Sequence, residues 1–219
     1  MLRYLKSALF FIIIFTAAVA SAQTPVEVDH ALNLIDSTNA IVKLRSDRFN
    51  EEITKVNSLN VLDVSSLDKS VIPKNIKKVK DFIDFLDVSR SLSAHSMQAL
   101  EDTVENLKEV GLTKKMTKSY GDLIKAYESD QKAFDKYTLA LSKVFTNVVK
   151  ILTYLDSCDY TIKDKKLIFT DRKQSEAYGE LFTGLEESQK KAAYAGADSQ
   201  KASIDARDII HKVYDEIQK

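Results

Sequence analysis

Apolar residues recur along most of this chain in alternating steps of three and four, the spacing that keeps one helix face turned toward its neighbours. Four such seams are legible. The first follows Pro25 and runs Val28, Leu32, Ile35, Asn39, Val42, Ser46, Phe49, Ile53, Val56. Residues 58–73 lose the pattern and end in Pro73, which suits the first turn of a second helix because its missing N–H has no intrahelical partner there. That seam runs Ile76, Val79, Ile83, Leu86, Arg90, Ser93, Met97, Leu100, Val104, Leu107, and Gly111 stops it as a C-terminal cap. Thr113 caps the third, which runs Met116, Tyr120, Leu123, Tyr127, Asp130, Phe134, Tyr137, Leu141, Val144, Val148, Ile151, Leu155. The fourth runs Tyr178, Leu181, Leu185, Ser188, Ala192, Ala195, Ser199, Ala202, Ala206, Ile209, Val213, Ile217. Its small central side chains leave room for bulky Phe and Tyr from the third helix.

Between the last two seams the period changes. Tyr160-Thr161-Ile162 and Leu167-Ile168-Phe169-Thr170 are β-favouring runs around Lys163-Asp164-Lys165-Lys166, and they predict a small hairpin, although the turn lacks an Asn-Gly or Asp-Gly pair. The expected fold is all-α: an elongated antiparallel up-down four-helix bundle with coiled-coil-like packing and a small β-hairpin at one tip. Its helices span about 26–57, 74–110, 113–156 and 171–218, and short connections make neighbours antiparallel. At ~1.5 Å per residue the seams measure ~45 Å, ~50 Å and, for the last two, ~65–70 Å. The tip segment 158–170 should therefore project beyond the first two helices.

Composition agrees with long elements, since 5 Gly and 2 Pro leave few turns. It also adds an address. Arg3 and Lys6 precede an apolar run from Leu9 to Val19, and Ala20-Ser21-Ala22 supplies the small-x-small pattern read by signal peptidase. The run is shorter than the ~20 residues of a membrane span. Residues 1–22 are thus expected to be a cleaved Sec-type signal peptide, with residues 23–219 forming a single helical-bundle domain. No Cys stands immediately after the cleavage site, where Gln23 follows, and no second long apolar run predicts a span in the mature chain. No Asn-x-Ser/Thr sequon occurs, which favours a bacterial source and a periplasmic or secreted location.

Losing residues 1–22 removes two of 32 basic residues and none of the 32 acidic ones, leaving a net charge of −2. An evenly mixed, near-neutral surface argues against nucleic-acid binding. Cys158 is the single cysteine, so no intramolecular disulfide exists and the hydrophobic core must hold the domain together. A buried thiol is the expectation, with intermolecular pairing as the alternative.

Candidate chemistry is sparse. Glu27 with His30 and Asp208 with His211 have the carboxylate-x-x-His spacing of di-metal bundles, and the up-down topology places both at one end. Such a site also needs an inward Glu from each of the other two helices, and both histidines lie ~200° from their seams, which predicts solvated side chains. No nucleophile elbow, phosphate loop, haem attachment or dinucleotide motif occurs, so no cofactor and no enzymatic activity are expected. Tyr120, Tyr127 and Tyr137 read as core. The remaining constellation is Ser46, Arg90, Ser93, Asp130 and Ser199, polar residues at seam positions that fall at about one height, ~25–30 Å from the shared end. Since an unpaired buried ion is costly, Arg90 is expected to pair with Asp130 in a layer that sets helix register. The expected function is a non-enzymatic, exported module that binds a protein partner. The alternatives are envelope or membrane contact through 158–170, and a ligand or metal carrier using the core polar residues.

Overall fold

Each seam closes into one uninterrupted helix in the computed structural model, which describes residues 25–57, 60–109 and 114–217. The helices are α1 (Pro25–Asn57), α2 (Ile72–Glu109), α3 (Lys114–Ser157) and α4 (Arg172–Ile217), with strands β1 (Tyr160–Lys163) and β2 (Lys166–Phe169) between the last two. The four helices pack against each other as an all-α bundle, and the strands form a two-stranded antiparallel hairpin. The expected signal segment, residues 1–22, lies outside the described residues, as do the caps expected at Gly111 and Thr113.

Helix α3 is the spine. Its seam positions Tyr120, Leu123, Tyr127, Asp130, Phe134, Leu141, Val144, Val148, Ile151 and Leu155 are all buried. Its most extensive packing is against α4, where the small residues Ser188, Ala192 and Ala206 are buried. Gly196 shows the reason for small residues there: a Cβ at that position would lie 3.1 Å from Tyr137 Cε2. The end of the α4 seam departs from the expected phase. Ile210 is buried whereas Ile209 is 37% exposed, so the last turns step 206, 210, 213.

Sequence neighbours are spatial neighbours, and α1 closes the ring against α2 and α4 with the slightest packing of the four. The core has two parts. The cluster toward the hairpin holds Phe49, Phe82, Phe134 and Phe145, with Phe82 meeting Phe145 edge-on at 4.8 Å and Phe49 meeting Phe134 at 5.5 Å. The other holds Leu100, Val104, Tyr120, Leu123, Tyr127, Ile210 and Val213; from α1 the hydrophobic Val42 packs on it, and Asn39 Oδ1 accepts from Tyr127 Oη at 3.2 Å.

The tip departs from expectation. Residues 60–71 are no bare linker: Val61 and Leu67 are buried, and a 3-10 turn over Val64–Ser66 is capped by Asp63. Asn75 Nδ2 donates to Ser66 O at 3.2 Å and ties this corner to α2. The base of segment 158–170 rests on this corner and on the core and is not held away from them, whereas residues 161–166 are exposed. Tyr160 Oη donates to Leu67 O, Lys69 faces Asp159 at 3.6 Å, and Tyr160, Leu167 and Phe169 pack on the cluster below. The hairpin pairs Tyr160 with Phe169 and Ile162 with Leu167 around a two-residue turn. Asp164 (φ 51°) and Lys165 (φ 59°) both take the left-handed conformation required by a type I′ turn, without the customary glycine.

Candidate functional site

Where the two core clusters meet, every helix contributes a polar side chain. Arg45 enters from α1. Its Nη2 lies 2.6 Å from Asp130 Oδ2 on α3, and its Nη1 donates to Ser93 Oγ on α2 at 2.9 Å and to Gln131 Oε1 at 3.2 Å. Ser203 on α4 donates to the other carboxylate oxygen, Asp130 Oδ1, at 2.6 Å. Ser93 Oγ also contacts Gln131 Oε1, and Gln131 Nε2 donates to Asp135 Oδ1 at 2.8 Å. The guanidinium lies 4.3 Å from the Phe134 ring centroid, a cation–π contact that compensates part of its desolvation. The side chains of Arg45 and Asp130 are 15% and 4% exposed. Both carboxylate oxygens and both Nη atoms are engaged and the charges are matched, as an interior ion pair requires, while Arg45 Nε is buried without a hydrogen-bond partner among the described residues.

The expected layer exists with a different cast. Ser93 and Asp130 stand in it. Arg90 does not pair with Asp130: its Nη2 is 2.5 Å from Asp87 Oδ1, one turn back on its own helix, and its side chain is 30% exposed. Ser46 is exposed, because the α1 contact falls one residue earlier, at Arg45. Ser199 is half-buried, and Ser203, one turn further along α4, holds the carboxylate instead. The reason is reach. A serine must sit on the seam to take part, whereas an arginine flanking it spans the bundle with its apolar stem along the core. One signal for Arg45 was present in the sequence: a buried Asp130 demands a cation, and long basic residues flank the α1 seam as well as the α2 seam.

Asp208 and His211 are exposed, and the side chains of Glu27 and His30 lie outside the described residues. His95 is exposed, with Nδ1 2.7 Å from Ser91 O. Among the described residues no three His, Cys, Asp or Glu side chains converge as metal ligands. Cys158 is buried, and its thiol, with added effects of burial and nearby charge, holds the Tyr154 phenol above its ordinary range. Tyr137 and Tyr178 are pushed up by burial alone.

A second feature lies on the surface. Glu52, Lys55, Val56, Lys78, Asp81 and Phe82 line an open groove between α1 and α2. Leu44 lies three helical turns from Lys55, and Leu92 three turns from Asp81, so each falls on the same side of its helix as that groove residue. The Arg45–Ser93 hydrogen bond sets their heights level. Leu44, Leu92 and, one turn away, Val88 are 62%, 48% and 42% exposed. Among the described residues no helix is long and apolar enough to cross a membrane. No family model matches the chain, nor does any curated protein or solved structure.

Proposed function

We propose that the chain is an exported, non-enzymatic helical-bundle protein that binds a protein partner in the periplasm or outside the cell. The observation that carries this reading is the exposure of three large aliphatic side chains on neighbouring helices, Leu44 on α1 and Val88 and Leu92 on α2. Large aliphatic side chains grouped on two rigid helices offer a surface whose burial is favourable, at about 25 cal/mol per Å². A groove between helices accepts an amphipathic helix, whose anchors at i, i+3, i+4 and i+7 match its pitch. The polar layer supports the reading indirectly, because it sets the height of α1 against α2 and so holds the groove in one shape. It is a poor ligand site, since both Asp130 carboxylate oxygens and both Arg45 Nη atoms are already engaged within the bundle.

Photo-crosslinking tests the proposal. A benzophenone side chain at position 92, in chain exported by the native cell, should capture one discrete protein. The adduct should disappear with Leu44→Asp and persist with an exposed control, Leu139→Asp. Capture of nothing, or capture indifferent to Leu44, counts against it.

A further inference from the structure

The hairpin carries two features that are unfavourable in the isolated protein and that one kind of surface would relieve together. Lys163 stands directly across from Lys166, and like charges at facing positions repel. Ile162 and Ile168 are 44% and 48% exposed.

Strand alternation sorts these groups onto two faces. Tyr160, Ile162, Leu167 and Phe169 share one face, of which Tyr160, Leu167 and Phe169 reach the bundle core, leaving Ile162 at the distal rim. Thr161, Lys163, Lys166 and Ile168 share the other, which turns away from the bundle. That outer face is an isoleucine flanked by two lysines, with Lys165 at the apex beside a single carboxylate, Asp164. Of the other acidic groups of this end, Asp156, Asp159 and Asp171 precede or follow the strands and so lie at the hairpin base, whereas Asp68 acts on Tyr160 and Asp63 on Lys165 from the neighbouring corner.

We propose that the outer face and apex of the hairpin bind an anionic phospholipid surface, with Ile168 entering the acyl boundary and Lys163, Lys165 and Lys166 contacting phosphates. Lysine suits this geometry because its stem lies along apolar material while its ammonium stays at the headgroups. Lipid phosphate also neutralises the facing Lys163–Lys166 pair. The binding is peripheral and reversible, because one isoleucine and three lysines are far short of an anchor. This site is separate from the α1–α2 groove, so either can fail without the other.

The chain contains no tryptophan, so Ile168→Trp places a single reporter on the outer face. Chain purified from the extracytoplasmic fraction is mixed with vesicles of phosphatidylcholine, with or without phosphatidylglycerol. The expected result is a blue shift of the indole emission with the anionic vesicles alone, reversed by high salt. Lys163→Ala with Lys166→Ala should lower vesicle partitioning about twenty-five-fold, at about five-fold per lysine near a charged membrane. Leu139→Trp, exposed on the side of the bundle, should show no shift, which separates the tip from any other lipid-binding segment. The proposal is overturned if the reporter at position 168 does not respond, if it responds equally to neutral vesicles, or if the reporter at position 139 responds as strongly. A shift at position 168 produced by lipid-free envelope protein and not by vesicles would assign the face to a protein and also overturn it.

Discussion

Arg45 and Asp130, 85 residues apart in the chain, meet at 2.6 Å in the middle of the bundle and join the helix with the least packing to the helix with the most. Removing one partner should cost far more than removing both. Asp130→Ala leaves a guanidinium in the core and is expected to destabilise by about 3–5 kcal/mol, whereas Arg45→Met with Asp130→Leu should be near neutral. Arg90→Ala, at a half-exposed pair on a single helix, should change stability by no more than about 1 kcal/mol. A double-mutant cycle in urea tests this. Additive effects of Arg45→Ala and Asp130→Ala would show that the pair does not couple.

The glycines of α4 should respond unequally to alanine. A Cβ at Gly179 meets nothing within 4 Å, so Gly179→Ala should gain about 0.5–1 kcal/mol from helix propensity. At Gly196 the new methyl would stand 3.1 Å from Tyr137 Cε2 and 3.5 Å from Cδ2 and Cζ, so the ring must move and the gain should vanish or reverse. Urea midpoints of the two variants settle the comparison, and equal gains would mean that the α3–α4 approach readily yields at this ring.

The hairpin turn is improvable. Lys165 occupies the left-handed region at φ 59°, which costs a non-glycine residue about 1–2 kcal/mol. Lys165→Gly should slow amide exchange across 160–169 and resist proteolysis better than the parent chain. Faster exchange would indicate that the lysine side chain contributes more to the turn than its backbone costs.

Acid should loosen the α1–α2 corner first. Asp63 and Asp68 are held below the usual carboxylate range by hydrogen bonds from the hydroxyl and backbone N–H of Ser65 and Ser70 respectively. A carboxyl with a depressed folded pKa contributes stability that is fully present above its unfolded value and is lost as pH falls through the folded value. The Ser65 and Ser70 amide resonances should therefore move as pH drops below the ordinary aspartate range, about 3.9, before the helices melt. Asp63→Asn should remove the Ser65 response and leave that of Ser70. Retained shifts at both positions in that variant would point to another titrating group.

Helix number, order, approximate ends and the hairpin are legible because the signals are local. Seam spacing is set by the residues themselves, and Gly scarcity limits where the chain can turn. The α3 seam can be followed residue for residue, since its apolar face is continuous from Tyr120 to Leu155 with only Asp130 intervening. The corner at 60–71 escapes such a reading because Val61 and Leu67 bury themselves singly and no period marks them.

The sequence alone determined that a polar level crosses the bundle and that Asp130 and Ser93 belong to it, because a charged or hydroxyl residue on an apolar seam is visible without coordinates. Only the tertiary structure decided that Arg45 answers Asp130, that Ser203 replaces Ser199, and that Arg90 turns to Asp87. Partner choice depends on the relative rotation and height of four helices, and one residue turns a side chain by about 100°. A seam drawn by spacing fixes neither quantity to better than a residue, while a hydrogen bond as short as the 2.6 Å contact of Arg45 with Asp130 requires both.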